Sequence, residues 1–411
     1  MNTNWAGNLK YSAKEVLEPT SVEEVRELVA RNPSVKALGT RHSFNRIADT
    51  DGVQISTRNL QGIGPIDQER RLVAIQSGVR FGELSQFLHS KGYSLANYAS
   101  LPHISVAGAT ATATHGSGQD NPSLASLIDS LDLVTANGEL RHISTSDSEF
   151  AGVVVSLGAL GIVTSLTVKV TPAYDVAQTV YLGLPASEGA EHLTEILASA
   201  YSVSLFSTWK EDLIDQIWFK SIADGSSPDT LFGAKPAKTA LHPISELTAE
   251  NCTTQLGQRG PAYERLPHFR MGFTPSSGEE LQSEYLIPKE NAVKAFCKIR
   301  SLRGIIAPAL QVAEIRAIAQ DEFWISPFYL QPSVAFHFTW TTDWPLVKSI
   351  LMVLERELLP LGAKPHWAKL SLVPPHLIRT SFPKFSDFQS LMRELDPEGK
   401  FRNPWLTELF A

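Results

Sequence analysis

Cysteine is scarce in this chain, since only Cys252 and Cys297 occur in 411 residues. Two cysteines cannot build a disulfide framework, and neither has a second ligand at zinc-site spacing, so the sequence predicts a reducing compartment and no metal site. Long apolar runs are also missing: the longest, such as residues 151–155, fall far short of the roughly 18 residues of a membrane span. Residues 1–10 lack the basic and apolar regions of a signal peptide. We therefore expect a cytoplasmic protein without membrane contact.

Clusters of basic residues are absent as well, and the formal net charge is -7, which argues against binding to nucleic acid. No Gly-x-Gly-x-x-Gly opens a helix after a strand, and no Gly-x-x-x-x-Gly-Lys loop occurs. These absences argue against a parallel dinucleotide-binding fold and against a nucleoside-triphosphate loop. The His-Glu-x-x-His motif of zinc enzymes and the Gly-x-Ser-x-Gly elbow of serine hydrolases are missing too.

What is present is length enough for two domains, because 411 residues exceed one ordinary core and suggest roughly 150 to 250 residues per domain. The first third alternates short strands with amphipathic helices, and Ser21 with Glu24 forms a predicted capping box. Asn137-Gly138 between two apolar runs indicates a β-hairpin. The elements predicted here are helices 22–31 and 81–91, strands 35–38, 53–56 and 72–77, hairpin strands 131–135 and 139–143, and a glycine turn with an alternating strand over 158–170.

A second set of strands follows Thr171-Pro172-Ala173, where the proline predicts a boundary because it ends a hydrogen-bond ladder. The sequence predicts an α+β domain with a largely antiparallel sheet and intervening helices. Its predicted strands are 176–182, 216–220, 281–287 and 335–340, with a helix over 345–358. Residues 225–241, rich in Ser, Pro, Gly and Ala, predict a mobile surface loop.

The first candidate functional segment is 35–45, where an apolar strand breaks at Gly39 and is followed by His42. Glycine allows a tight turn or a close approach to a ligand, and the amides and short side chains of Thr40, Ser43 and Asn45 are of the kind that wrap a phosphate. A simple strand-to-turn corner with an exposed histidine has the same pattern. The segment alone does not decide between them.

Two further segments are rich in glycine and small polar residues. Residues 100–118 carry small and hydroxyl side chains that let the backbone press against a flat or phosphorylated ligand, and 157–163 carries Gly158 and Gly161. Each could equally be a packed turn. Because all three segments fall within one domain-sized stretch, together they favour a nucleotide cofactor.

The second domain offers a candidate substrate face. Period-two alternation in a strand places Glu314 and Arg316 on one side, where they could bind vicinal hydroxyls or form a structural ion pair. His337 and Thr339 alternate with aromatic residues, which also fits a half-exposed sheet. Lys369 lies beside His366 and Trp367, although such a lysine is often a surface residue covering a ring.

With these motifs together, the sequence resembles the vanillyl-alcohol oxidase-type flavoproteins and, within them, the alditol oxidases. The resemblance covers nearly the whole chain and rests on Gly39-x-x-His42-Ser43, on segments 99–108 and 114–118, and on His366-Trp367-x-Lys369. It implies an FAD-binding domain over 1–173, a substrate or cap domain over 174–370, and a C-terminal segment, 371–411, that returns to the FAD-binding domain.

The resemblance also implies how FAD is held. His42 matches the histidine that bonds covalently to the 8α-methyl group of FAD in that family, where a small residue often stands in the place of Arg41. An arginine there could contact the pyrophosphate. The FAD-contacting residues implied by the match are Leu38, Gly39, Thr40, Arg41, His42, Ser43, Phe44, Ser100, Ser105, Gly108, Thr112, Ala113, Thr114, His115, Ile162 and Val163.

For the substrate, the match implies oxidation of a polyol at its terminal C1 hydroxyl, with O2 reduced to H2O2. Lys369 and Arg316 would stabilise negative charge, and His337 is a candidate base. The residues matched to substrate contacts are Ser100, Glu314, Arg316, Thr339 and Lys369. A sugar-1,4-lactone oxidase, a flavin-dependent polyol dehydrogenase and a flavin carrier without turnover stay as alternatives. The sequence does not rank polyols, and it leaves oligomeric state open, with a monomer compatible.

Overall fold

The structure is a computed structural model that describes residues 3–222, 227–272 and 279–411. Its N-terminal part contains a parallel three-stranded sheet of order β1-β3-β2, an antiparallel five-stranded sheet of order β4-β5-β9-β7-β8, and a small β10-β6 pair. The elements are β1 Glu15–Leu17, α1 Val22–Arg31, β2 Val35–Leu38, β3 Val53–Ser56, β4 Ile63–Asp67, β5 Leu72–Gln76, α2 Phe81–Ser90, β6 Tyr93–Ser94, α3 Val106–Ala111, β7 Ile128–Val134, β8 Leu140–Ser144, α4 Phe150–Val153, β9 Ile162–Lys169 and β10 Thr171–Pro172.

Local sequence explains how these elements begin and turn. The Ser21 hydroxyl accepts a hydrogen bond from the Glu24 amide at 3.2 Å, and the Glu24 carboxylate accepts one from the Thr20 amide at 2.6 Å, so α1 begins where it was predicted. In the β7-β8 hairpin Gly138 adopts φ +82°, and the Asn137 side chain caps the turn. The hairpin prediction is confirmed.

The second part is one nine-stranded antiparallel sheet of order β14-β11-β13-β12-β17-β18-β16-β19, with β15 also paired to β11. Helices cover one face, where Phe336, Phe338 and Trp340 pack into an apolar core. The elements are β11 Asp175–Pro185, α5 Ala186–Glu191, α6 Leu193–Ala198, β12 Ser202–Ser207, β13 Leu213–Ser221, β14 Lys235–Pro236, β15 Arg259–Pro261, β16 Leu281–Pro288, α7 Ala292–Ser301, α8 Arg303–Ile306, β17 Leu310–Ile318, β18 Ser333–Trp340, α9 Trp344–Leu358 and β19 Lys364–Pro365. The predicted α+β class is confirmed.

The chain ends in three helices, α10 Pro375–Ser381, α11 Phe385–Leu395 and α12 Pro404–Phe410. Their buried residues share one apolar cluster with residues of the N-terminal sheets. The side-chain amide of Asn403 donates to the carbonyls of Arg46 and Asp49 at 2.8 and 2.7 Å, which fixes this segment beside the loop after β2. Among the described residues, no helix has both the length and the apolar character needed to cross a bilayer.

Two local predictions need correction. The β9 ladder does end at Lys169, before Pro172, but Thr171 and Pro172 then pair with β6 as a separate two-residue edge strand, a position that tolerates proline. Gly225 and Ser226 of the predicted loop 225–241 lie outside the described residues, yet Lys235–Pro236 within it forms β14 against β11.

Gly161, in the predicted glycine turn, gives a stability prediction. It adopts φ +157°, and a Cβ atom there would lie 2.5 Å from the Val134 carbonyl oxygen, so alanine must displace backbone. We expect Gly161→Ala to lower the free energy of unfolding by about 2–4 kcal/mol. Urea denaturation followed by circular dichroism measures this. Gly304→Ala is the matched control, since nothing lies within 4 Å of its Cβ position and alanine favours helix; equal midpoints for the two variants would contradict the prediction.

Candidate active site

Polar side chains line the face of the nine-stranded sheet that lies opposite the helices. Glu314 of β17 pairs with His337 of β18, and His337 pairs with Glu284 of β16, so the three form a row across adjacent strands. Strand alternation places these residues on one face and Phe336 and Phe338 on the other. The predicted two-faced character of 335–340 therefore positions a buried polar row.

Glu284 and Arg316 form the central ion pair of this face. Arg316 Nη2 lies 2.7 Å from Glu284 Oε1 and both side chains are buried. His115 Nε2 and His337 Nδ1 also reach the Glu284 carboxylate, at 3.1 and 3.3 Å. Burial opposes ionisation of Glu284, but Arg316 and the two histidines outweigh it and hold its pKa well below the usual value. The pair supplies a fixed cation with its charge largely balanced.

Glu314 is the second buried carboxylate. Its Oε1 accepts a hydrogen bond from His268 Nε2 at 2.7 Å and lies 3.5 Å from Arg316 Nε. Burial raises its pKa, yet Arg316 and His268 together lower it below the ordinary value. Arg316 Nη1 also donates to the Ser100 hydroxyl at 3.3 Å. The structure therefore brings Ser100, Glu314 and Arg316 into one group.

Lys369 lies next to the His42 loop. Its Nζ lies 4.8 Å from the centre of the Phe44 ring and donates to Gln282 Oε1. Desolvation lowers the pKa of Lys369 to about 8 against the opposing effect of Glu284, so the side chain is mainly a cation at neutral pH. The aromatic ring that Lys369 contacts is thus Phe44 and not the predicted Trp367, which stacks on Phe382 in the core.

Asn45 joins these two segments directly. Its side-chain amide donates to the carbonyls of Trp367 at 2.7 Å and Lys369 at 3.0 Å, and the neighbouring Phe44 amide donates to the Ala368 carbonyl at 2.7 Å. The interpretation of Asn45 as a phosphate ligand is therefore replaced by a structural role for its side chain.

His337 is bonded at both ring nitrogens. Nδ1 faces the Glu284 carboxylate at 3.3 Å, and Nε2 lies 3.3 Å from the Thr339 hydroxyl. Burial lowers the pKa of His337, although Glu284 opposes the shift. Because an ionised carboxylate only accepts, Nδ1 must carry the proton of the neutral ring, and Nε2 is left with a lone pair toward Thr339.

The loop after β2 presents His42 in a distinct environment. Both its ring nitrogens are buried, and within the described part of the chain neither makes a hydrogen bond of good geometry, the Thr40 backbone being the polar group beside the ring. The ring stacks on Trp5 at 5.2 Å, and burial, with Lys369 nearby, lowers the pKa of His42 to about 3. The Trp5 amide donates to the carbonyl of Arg41, which adopts φ +65°. The alternative of an exposed corner histidine is therefore wrong.

Arg41 itself turns toward the N-terminal segment. Its Nη1 donates to the Thr3 carbonyl at 3.3 Å, while Asn4 donates to the Ser43 carbonyl at 2.9 Å. These bonds hold the loop around His42, with the Arg41 side chain, against the N-terminal segment.

Small residues bring β2 and the start of α3 together. A Cβ atom on Gly39 would lie 3.0 Å from Ser105 Oγ and 3.9 Å from the Gly108 Cα, so glycine permits this approach. The Ser105 hydroxyl is buried without a partner among the described residues, and the Ser105 amide donates to Thr40 Oγ1 at 3.3 Å. A polar ligand that lies against Gly39 and Gly108 could form the missing hydrogen bond to the Ser105 hydroxyl.

All of these groups line one cavity of about 840 Å³, large enough for a bulky cofactor with a small substrate. It brings together nearly all the residues that the sequence singled out. The predicted residues that line it are Leu38, Gly39, Thr40, Arg41, His42, Ser43, Phe44, Ser100, Ser105, Gly108, Thr112, Thr114, His115, Val163, Glu314, Arg316, His337, Thr339 and Lys369.

Two predicted cofactor contacts do not line this cavity. Ala113 is fully buried in the apolar core of the N-terminal part, and Ile162 packs with Val134 and Phe401. Alternation along β9 explains the second case, because Val163 faces the cavity and its neighbour Ile162 must face away.

The sequence reasoning missed several residues of the site. Glu284 and Gln282 lie on one face of a strand that was predicted, so their alternation could have indicated them. His268 lies in an irregular segment and carries no comparable signal. Nitrogen and carboxylate atoms of His115, Glu284 and His366 come within 4.8 Å of one another. Within this group His115 and Arg316 approach the Glu284 carboxylate, while His366 Nδ1 accepts a hydrogen bond from the Ala368 amide.

Comparison with known proteins agrees with this geometry. A family model described as FAD binding domain matches residues 13–144, and one described as D-arabinono-1,4-lactone oxidase matches residues 276–409. An alditol oxidase of Streptomyces sp. (strain IKD472 / FERM P-14339) is 45% identical over 99% of this chain and 98% of its own. An L-gulono-1,4-lactone dehydrogenase of Mycobacterium tuberculosis is 26% identical over 98% of this chain and 97% of its own.

Solved structures show the same fold at low identity. A solvent-stable cholesterol oxidase superposes with a TM-score of 0.78 at 15% identity, covering 100% of this chain and 97% of that one. A xylooligosaccharide oxidase from Myceliophthora thermophila C1, in complex with xylobiose, gives 0.77 at 13% identity, covering 99% and 94%.

The fold, the cavity and the FAD-binding match define an FAD-dependent oxidoreductase of the vanillyl-alcohol oxidase type. Within that class, the chain belongs to the alditol oxidase family.

Proposed function

We propose that this chain is an FAD-dependent alditol oxidase that oxidises the terminal C1 hydroxyl of polyols such as xylitol or sorbitol to the aldose. The carrying observation is that Ser100, Glu314, Arg316, Thr339 and Lys369 converge on the cavity that also holds the His42 loop. Carboxylate, hydroxyl, guanidinium and ammonium groups together accept and donate hydrogen bonds, as a chain of neutral hydroxyls requires. The similarity to an alditol oxidase over nearly the full length supports the same activity.

The cofactor in this proposal is FAD bound covalently through His42. When bound, FAD supplies the two-electron oxidation of the alcohol to the aldehyde and the reduction of O2 to H2O2. What supports the covalent bond is a neutral imidazole with buried nitrogens that make no hydrogen bond of good geometry among the described residues, beside Gly39, which allows a ligand to approach closely. Thr40, Ser105 and Thr114 would supply polar contacts to it.

The substrate residues divide into orienting and charge-stabilising groups. Glu314, Ser100 and Thr339 would orient the hydroxyls, and Lys369 with Arg316 would stabilise negative charge on the reacting hydroxyl as it loses its proton. His337 Nε2, which carries a lone pair toward Thr339, would take that proton directly or through the Thr339 hydroxyl.

A peroxide assay tests the substrate class. The purified protein is expected to form H2O2 with xylitol or sorbitol and to form at most about a tenth as much with L-gulono-1,4-lactone at equal concentration, because one unpaired buried polar contact already costs about a factor of ten. Activity on the lactone alone would overturn the proposal. That outcome is the second candidate, a lactone oxidase, which the family model over residues 276–409 favours.

The acceptor is tested separately. Enzyme reduced anaerobically with xylitol is mixed with air-saturated buffer while the flavin absorbance is followed. An oxidase is expected to regain its absorbance within seconds, whereas absorbance that stays low for minutes would indicate a dehydrogenase that needs another acceptor.

A further inference from the structure

Two buried groups beside Glu314 are not used in the mechanism above. Lys220 of β13 contacts His268, and His268, which also lines the cavity, contacts Glu314. We propose that His268, held in one tautomer by Lys220, is a positioning residue that fixes Glu314 and Ser100 for polyol binding. This inference rests on the proposed alditol oxidase function.

The hydrogen bonds from Lys220 through His268 to Glu314 share one donor-to-acceptor direction. Lys220 Nζ lies 3.1 Å from His268 Nδ1 and donates to the Leu266 carbonyl at 2.6 Å. His268 Nε2 then lies 2.7 Å from Glu314 Oε1. Because the ionised Glu314 carboxylate only accepts, the neutral imidazole must donate from Nε2, which leaves Nδ1 to accept from Lys220 Nζ.

His268 also holds Ser100 through its backbone. The His268 amide donates to the Ser100 carbonyl at 3.0 Å, and the Ser100 hydroxyl accepts from Arg316. One residue therefore fixes two of the proposed substrate contacts, the first by its side chain and the second by its main chain.

The imidazole has little freedom to turn. It meets the rings of Phe206 and Trp218 edge to face, at 5.5 and 5.1 Å between centroids. Aromatic packing thus sets the position of His268, and Lys220 sets which nitrogen carries the proton. Together these three residues direct the Nε2–H bond of His268 at Glu314.

These bonds determine which oxygen of Glu314 can bind a substrate hydroxyl. His268 Nε2 and Arg316 Nε both approach Oε1. The other oxygen, Oε2, is then the one that can accept a hydrogen bond from a substrate hydroxyl. Its orientation is fixed by the bonds that His268 and Arg316 make to Oε1. Without His268, the carboxylate could rotate between Arg316 and the cavity and would bind the polyol less well.

The test compares His268→Gln, which keeps a donor near the Nε2 position, with His268→Met, which has similar size and no donor. We expect His268→Met to raise the KM for xylitol by about tenfold or more, since a hydrogen bond to a charged group is lost, and to change kcat less. His268→Gln should recover most of the KM. Lys220→Met should give an intermediate KM, because His268 can then adopt the other tautomer. Flavin content and the visible flavin spectrum should match the wild type in all three.

The control is His142→Ala, a surface histidine paired with Asp132 outside the cavity, for which we expect an unchanged KM. Equal KM values for His268→Met and the wild type would overturn the positioning role, as would a His268→Gln variant no better than His268→Met. A wild-type enzyme that oxidises lactones but no polyol would instead overturn the proposed function, and this inference with it. If His268→Met does not fold, the His268→Gln and Lys220→Met values decide: the proposal requires a larger increase for Lys220→Met.

Discussion

Lys369→Ala is expected to slow the reduction of the flavin by xylitol by a factor of about 10²–10³, the usual effect of removing one group that stabilises developing charge. Arg316 is held between two carboxylates, whereas Lys369 hydrogen-bonds the neutral Gln282 amide and lies over the Phe44 ring, so the charge of Lys369 is less directly balanced than that of Arg316. Anaerobic stopped-flow mixing with xylitol, followed at the flavin absorbance, measures the rate.

The bound flavin should be unaffected in this variant. Lys348→Ala is the matched control, because this exposed lysine of α9 lies far from the cavity lining and should leave the rate unchanged. A Lys369→Ala rate within a factor of about three of the wild type, too small for the loss of such a group, would remove Lys369 from the mechanism.

His42→Ala is expected to abolish covalent flavin attachment completely. The neutral, buried imidazole is the nucleophile in the proposal, and alanine leaves nothing to form the bond. After acid precipitation the wild-type pellet should be yellow and the denatured band fluorescent, whereas the flavin of the variant should stay in the supernatant. We further expect the variant flavin to have a lower reduction potential, because an electron-withdrawing substituent has been lost.

His376→Ala provides the control for this experiment, since it removes an exposed histidine of α10 and should keep the pellet yellow. Flavin that washes away from the denatured wild-type protein would show that His42 is not a covalent anchor. Flavin that remains attached in His42→Ala would place the bond on another residue.

Much of the site could be predicted because the alternation of side chains along a strand depends only on the local sequence. Alternation fixes that Glu314 and Arg316 share a face, and that His337 and Thr339 do, without knowledge of any partner strand. The glycine at residue 39 likewise indicates a close approach before the element that it meets is known. The structure supplied the partners: α3 for Gly39, and one shared cavity for both polar pairs.

What could not be predicted depends on strand order and register. Helices α7 and α8 separate Glu284 from Glu314 along the chain, yet the strand order β17-β18-β16 places the two residues on either side of His337. Nothing in the local pattern encodes that neighbourhood. The resemblance likewise carries no information on which way each side chain faces, and Ala113 and Ile162 lie outside the cavity lining. Alternation along β9 would have selected Val163 alone.

The bonds from Asn45 and Phe44 to residues 367–369 limit how the two parts of the molecule can move. The proposed flavin tether and the proposed catalytic lysine are coupled through three hydrogen bonds to main-chain carbonyls, two from the Asn45 side chain and one from the Phe44 amide, so they must move together. A motion that opens the cavity to a polyol must therefore leave the contact between residues 44–45 and 367–369 in place and separate other residues along the cavity rim. The distance between His42 and Lys369 should then stay constant through the catalytic cycle, and an engineered change of rim residues should alter substrate entry without changing the chemical step.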